Sequence, residues 1–200
     1  MTTKRKPKKQ KLPLRYEPDT HIKERPLAFV DLEFSGLGAE HEVLQIGCVL
    51  VNQPDFHVIG EWEAKVKPRH IEDGDRKSLK IAGYSARKWK DALSLREALE
   101  QFDAIVTGAV LIGYNVAGDF YQLKKSYHQV DMVPSYHWQV LDVQSMIFMG
   151  LYHSSMDGFR MREVVRYFRL KNRQWHDALS DARATHEIFV KLFGKLEHQK

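Results

Sequence analysis

Four carboxylates and one imidazole stand out because of where they fall in the chain. Asp31 and Glu33, in FVDLEFSGL at residues 29–37, lie two apart at the end of an apolar run that suits a buried strand, so both side chains leave the same face. Asp119 follows the apolar run AVLIGYN at the start of a helical stretch. Asp181 lies near the start of the last helical stretch, with His176 five residues ahead of it in HDALSD. Strand ends and helix starts are where side chains from distant parts of a chain converge. A buried, unpaired carboxylate is costly and a cluster of them repels itself, so this set calls for a cation. Oxygen ligands select a hard ion, Mg²⁺ or Mn²⁺, and the chain offers neither a cysteine pair nor a spaced histidine pair for zinc. Among 26 acidic residues one Asp-x-Glu triplet arises by accident roughly once, so the opening pair gains its weight from the rest of the set.

The elements that must position these residues are legible in the hydrophobic pattern. LAFVDLEF, EVLQIGCVLV and HVIGEWEAKVKP, the last ending at Pro68, read as three successive strands of a meander. After a loop containing EDGD, Asp91 stands where an N-cap would precede a helix with Leu95, Ala98, Leu99 and Phe102 on one face. AVLIGYN is short and apolar throughout, as in a central strand covered on both faces. GDFYQLKKSYHQV reads as helix, WQVLDV as a last strand, and QSMIFMGLY, MREVVRYFRL and ALSDARATHEIFVKLF as helical, with Asp142 and Asp177 as caps and Gly194 as a stop. This order predicts an α/β layered domain with a mixed sheet. Met161, Val165 and Phe168 form a core stripe. Arg162, Arg166 and Arg169 recur at helical spacing and read equally as a phosphate-tracking face or a solvated one. Trp175 and Cys48 read as packing residues.

The size suits one domain: 200 residues with 43% hydrophobic content fill one core and fall short of two. The longest nearly apolar run is too short and too glycine-interrupted to span a membrane. The N-terminus has no apolar segment behind its charges to act as a secretory signal, and one cysteine cannot form an internal disulfide. The expected location is cytoplasmic, with a nuclear one open through the basic tail. The net charge of +5 is uneven. Residues 1–25 hold nine Lys/Arg against Glu17, Asp19 and Glu24, and the remaining 22 bases meet 23 acids. KRKPKKQK predicts a disordered basic tail over 1–25, read as a nucleic-acid arm, a targeting tag or a solubilising segment. The domain is expected over 26–195, with a C-terminal tail at 196–200.

With these residues in view, the sequence resembles the DEDDh (DnaQ-like) 3′-to-5′ exonucleases of the RNase H-like superfamily, which include polymerase proofreading subunits, RNase T and oligoribonuclease. FVDLEFSGLG is similar to the first exonuclease motif, and LIGYNVAGDF to the second, with Asn115 and Asp119 at the usual spacing. HDALSDA fits the third, His-x-x-x-x-Asp-Ala. Phe34 and Ser35 replace the usual Thr-Thr, Tyr114 stands where histidine is common, AGYS at 82–85 replaces His-Gly-Ile-Thr, and Gln45 stands where a glutamate is frequent.

The resemblance implies an RNase H-like α/β fold: a five-stranded mixed sheet, three strands antiparallel and two parallel, flanked by helices. It also implies two Mg²⁺ or Mn²⁺ ions per active site held by Asp31, Glu33, Asp119 and Asp181, with His176 as general base. Phe34, Ser35, Gly36, Leu37 and Asn115 are implied to contact the terminal nucleotide, Leu37 as an apolar wedge, and Glu33 to accept from the substrate's 3′ hydroxyl. The expected activity is hydrolysis from the 3′ end of single-stranded DNA or RNA. Alternatives are a nucleic-acid-binding or polymerase-associated proofreading subunit with little free turnover, and an RNase H-type endonuclease. A homodimer and a polymerase or processing partner are both consistent with the resemblance, and no membrane partner is expected.

Overall fold

The computed structural model describes residues 19–171 and 174–197. The apolar runs become β1 (Leu27–Phe34), β2 (Val43–Val51), β3 (Val58–Lys65), β4 (Val110–Gly113) and β5 (Val140–Asp142). They form one sheet in the order β3-β2-β1-β4-β5. β1 pairs antiparallel with β2, as β2 does with β3, while β4 joins β1 and β5 joins β4 in parallel. The expected α/β fold, a meander extended by two parallel strands, is the observed one. β1, β2 and β4 are apolar nearly throughout because helices cover both faces. One face packs against α2 (Leu95–Val106) and α3 (Ala117–Gln129) through Leu99, Phe102, Leu123 and Tyr127. The other packs against α4 (Val143–Leu151), α5 (Met161–Tyr167) and α6 (Ala178–Glu197) through Ile147, Val164, Ile188 and Leu192.

Gly47 in β2 is what lets α6 come close. A Cβ there would lie 2.3 Å from the main chain of Ala178 and Leu179, so the first turn of α6 rests on bare backbone. Farther along, Arg183 reaches β3 in a two-point contact with Glu61, 2.8 Å from Nε and 2.6 Å from Nη2. That paired geometry fixes orientation more than it adds stability at a half-exposed position.

Several boundaries differ from the sequence reading. The N-cap of α2 is Ser94: its side chain accepts from Glu97 N–H while Glu97 accepts from Ser94 N–H. That reciprocal pair satisfies two otherwise orphaned donors, and Asp91 instead pairs with Lys90 on the surface. Helix α1 (Arg76–Ile81), capped by Asp75, occupies part of the expected loop. Gly194 does not end α6, which runs to Glu197 and brings Leu192 and Leu196 over Gly150 of α4; that packing outweighs the roughly 1 kcal/mol cost of a helical glycine. α5 stops at Tyr167 and Arg169 has φ 54°, so the three arginines do not share one helical face. Met161 and Phe168 do pack against the same core as buried Val164 and Val165.

The part of the expected tail within the described residues is ordered. Ile22–Glu24 form a turn of 3₁₀ helix, and Arg25, 3% exposed, donates to the carbonyls of Thr20 and Gly108. Gln53 donates to the carbonyls of Ile22 and Arg25. The folded unit therefore begins several residues before 26, because a buried guanidinium requires these acceptors. The basic run at 4–11 lies outside the described residues. The C-terminal segment read as tail from 196 starts inside α6, and 198–200 lie outside the described residues.

Candidate active site

Parallel strands β1, β4 and β5 end on the same side of the sheet, and ligands of open α/β sheets gather at such carboxyl ends. Asp31 and Glu33 stand near the end of β1, opposite Gly47 and Gln45 of β2. Directly opposed residues share a face, so the two acids of β1 lie on the same face as the bare Gly47 patch of β2 on which α6 begins. One helical turn past that contact, Asp181 faces them. Its Oδ2 accepts from the main-chain N–H of His176 at 3.0 Å, which fastens the histidine's backbone beside the helix start. His176 has φ 61°, and its side chain is exposed. Ligand atoms of Glu33, His176 and Asp181 all lie within 4.8 Å of one another.

Asp119 arrives from the opposite helical layer. β4 pairs with β1 through Phe29 and Ile112, so the Leu32 N–H lies past that ladder, where Asp119 Oδ1 accepts it at 3.0 Å. That bond sits between the two acids of β1 in sequence and draws the first turn of α3 onto them. Asp142 braces the same corner. Its Oδ1 accepts from Ser145 N–H at 2.6 Å as the α4 cap, and its Oδ2 from Val116 N–H at 2.8 Å, holding the turn that contains Asn115 at φ 59°.

Electrostatics register the crowding. Burial, and then the charges of Asp119, Asp181, Glu33 and Asp177, push the Asp31 carboxyl well above its ordinary range. Burial, with Asp181, Asp119 and Asp177, raises Glu33 to about 7. Burial raises Asp119 to about 7 against the lowering effect of the Leu32 N–H. Glu33, Asp119 and Asp181 are each at most 8% exposed. Such acids hold protons at neutral pH or require positive charge. The donor set is oxygen-rich and hard, with one imidazole at its edge, and it fits Mg²⁺ or Mn²⁺. On the imidazole side the direction reverses: partial burial, then the guanidinium of Arg162, hold His176 below its usual range.

A family-level comparison accords with this geometry. The exonuclease family of the RNase T type matches residues 28–189, a span that holds every one of these acids and the histidine. The chain belongs to the RNase T exonuclease family. It is 27% identical over 180 residues to the 3′-5′ DNA exonuclease Cap18 of Escherichia coli, covering 86% of this chain and 92% of Cap18. It is 26% identical over 169 residues to the PolC-type DNA polymerase III of Caldanaerobacter subterraneus, covering 84% of this chain and only 11% of that polymerase. Its fold matches E. coli Exonuclease I in complex with a dT13 oligonucleotide, with a TM-score of 0.72 and 17% identity over 86% of this chain and 43% of that one.

Within this exonuclease fold the residues expected at the substrate divide. Leu37 is 87% exposed, an apolar side chain held out from the loop after β1. Asn115 is also exposed. Phe34 is half-buried against the core of the α2–α3 face. Ser35 is buried and its groups serve the fold: its Oγ accepts from Glu42 N–H at 2.8 Å, its N–H donates to Glu42 O, and its carbonyl accepts from Asp75 N–H. Gly36 leaves space for the His41 ring, which a Cβ would meet at 2.5 Å. Lys125 of α3 donates to the carbonyls of Ala39 and His41 and ties down the far side of the same loop.

Two residues take a part in the site beyond the one their sequence positions suggest. Asp177 caps α6 by accepting from Ser180 N–H at 3.0 Å, as expected, and its charge also bears on Asp31 and Glu33; its place beside His176 was the available signal. Arg162 reaches His176, with Nη2 3.2 Å from Nε2. Only the fold brings these two together across 14 residues.

Proposed function

We propose that this protein is a metal-dependent 3′-to-5′ exonuclease that removes nucleotides from single-stranded DNA. The observation that carries this reading is the convergence of Asp31, Glu33, Asp119 and Asp181 at the carboxyl end of the sheet's central strands with His176 beside them. The four carboxylates would hold two Mg²⁺ or Mn²⁺ ions. Bound there, the ions would neutralise charge on the scissile phosphate and acidify a water molecule. The protein's own groups do the rest. Asp119 and Asp181 are fixed in orientation by the main-chain donors of Leu32 and His176. His176 Nε2 takes the proton from the attacking water, a role suited to an imidazole that partial burial and Arg162 hold below its usual range and so keep neutral at physiological pH. Leu37, exposed beside the acids of β1, offers an apolar surface to the terminal base.

DNA is favoured over RNA by similarity to Cap18, which this chain covers nearly end to end and which is named a DNA exonuclease. A second reading, a proofreading module working with a polymerase, draws on the similarity to PolC-type polymerases. The deciding assay uses 3′-labelled and circular single strands of DNA and RNA with Mg²⁺ or Mn²⁺. The expected result is release of mononucleotides from linear DNA, loss of that release in EDTA, and intact circles. Circles cut as fast as linear strands would overturn the end-directed reading, and no hydrolysis by the isolated chain would favour the polymerase-associated one.

A further inference from the structure

The guanidinium of Arg162 is placed where the reaction needs an empty nitrogen. Its Nη2 lies 3.2 Å from His176 Nε2, and its central carbon sits 5.2 Å from the centre of the Trp175 ring. A guanidinium has donors and no acceptor, so this contact makes Nε2 the lone-pair nitrogen and assigns the imidazole proton to Nδ1. The same lone pair would have to take a proton from the attacking water. While Arg162 donates to it, it is occupied.

The surroundings make that occupancy reversible. The histidine's main chain is fixed by Asp181, while its ring and the Arg162 side chain are both exposed. Helix α5 is anchored beneath them by buried Val164 and Val165. The Phe159 carbonyl, three residues before Arg162, accepts from Tyr114 Oη and from Gln144 Nε2, which pins the approach to α5. The arginine's origin is thus rigid and its head is free to exchange partners. Among the described residues no carboxylate forms an ion pair with it. A neutral nitrogen and an aromatic face leave its charge uncompensated, and a phosphodiester offers the planar, two-oxygen match that a guanidinium prefers.

We propose that Arg162 is a substrate-sensing latch: in the free protein it occupies His176 Nε2, and a phosphate of the bound strand draws it away and frees that nitrogen. Arg162 is then a positioning residue for His176 and a ligand for the strand. This rests on the exonuclease reading given above.

The test uses the full chain in EDTA with a fluorescent dT oligomer, and compares wild type with Arg162→Met and Arg162→Lys. Loss of one charge-assisted contact should weaken binding about tenfold in Arg162→Met and reduce the slope of log K against log salt by about 0.7, one phosphate on a single strand. Arg162→Lys should restore the slope but only part of the affinity, since a lysine offers one point of contact. In ¹⁵N-labelled wild type, adding the oligomer should move the His176 Nε2 resonance toward its position in oligomer-free Arg162→Met. With Mn²⁺ added, the loss in Arg162→Met should appear in KM rather than kcat. An unmoved Nε2 resonance, an unchanged salt slope, or a loss confined to kcat would overturn the latch. Wild-type hydrolysis of the same oligomer separates the two claims: its absence counts against the exonuclease reading, whereas its presence with an unmoved resonance counts against the latch alone.

Discussion

The two halves of the site are built on opposite principles. On one side, Glu33, Asp119 and Asp181 are buried and come from a strand and two helices, and the two aspartates are held by main-chain donors. On the other, His176 and Arg162 are exposed and touch each other through a single contact. The carboxylate half concentrates like charge that the fold forces together, so its geometry exists before anything binds. The histidine half fixes the backbone and leaves the ring free. Preorganised charge suits stabilisation of a transition state, while a group that must collect and release a proton every turnover needs access to water. The difference predicts that changes in the first half alter binding of ions and stability of the fold together, and that changes in the second leave both alone, His176 acting on turnover and Arg162 on binding of the strand.

Asp31→Asn tests the first half most severely. Asp31 feels all the other acids of the cluster, so removing its charge should lower hydrolysis by on the order of a thousandfold or more, while the metal-free protein should melt at a higher temperature. A less stable variant in EDTA would break the contrast, since it would mean that the carboxylate supports the fold. His176→Ala tests the second half. Turnover should fall by about a hundredfold to ten-thousandfold, the usual range for loss of a general base, with the melting temperature and its rise on adding Mn²⁺ kept. In wild type, lowering the pH protonates the imidazole and removes the base, so the rate should decline toward acid. Burial and Arg162 hold the histidine low, which sets that decline below the ordinary imidazole value of about 6.5. A rate flat from about pH 5 to 8 would remove His176 from the role.

Stability against pH sharpens the same contrast without any activity. Glu33 and Asp119 are raised to about 7 in the fold, above their values in an unfolded chain. Below about pH 3 both states are protonated and the groups cost nothing; as pH rises the unfolded chain ionises first, so folding stability falls until the folded groups ionise too. In EDTA the protein should therefore lose on the order of 3 kcal/mol for each of the two groups between about pH 3 and 7. Millimolar Mn²⁺ should return most of it at pH 7. Chemical denaturation at several pH values reads this directly, and a metal-free protein more stable at pH 7 than at pH 5 would contradict the self-repelling cage.

Much of the fold was legible because burial writes directly into the sequence. β1 falls on LAFVDLEF and β2 within one residue of its apolar run, since central strands covered on both faces need nearly unbroken apolar residues. The acids were legible through strand alternation and helix starts. What could not be read depends on contacts distant in sequence or on local competition. Ser94 rather than Asp91 caps α2 because Glu97 completes a reciprocal pair, a local competition between two candidate caps that SLRE wins. α1 is six residues long and buries none of them, so it has no hydrophobic signature. Gly194 stays helical because Leu192 and Leu196 lie over Gly150, a neighbour more than 40 residues away. Ser35, expected at the substrate, is buried in hydrogen bonds to Glu42 and Asp75.

The smallest expected effect concerns the loop that Ser35 secures. Leu37 is 87% exposed, and an apolar side chain left in water contributes nothing to folding, so Leu37→Ala should leave the melting temperature within about a degree. If it packs against the terminal base, its loss removes an apolar contact of roughly 1 kcal/mol, which is about a fivefold rise in KM. Lys125 ties down the loop that presents it through the carbonyls of Ala39 and His41; Lys125→Met should therefore raise KM by a similar factor while Leu37 itself is intact. The double variant decides between two accounts. If Lys125 acts only by holding Leu37 in place, the two losses do not add, because a leucine that is absent cannot be misplaced. Additive losses would show that the lysine or its loop meets the strand independently, and the rigid half of the site would then extend beyond the carboxylates to the nucleotide's apolar face.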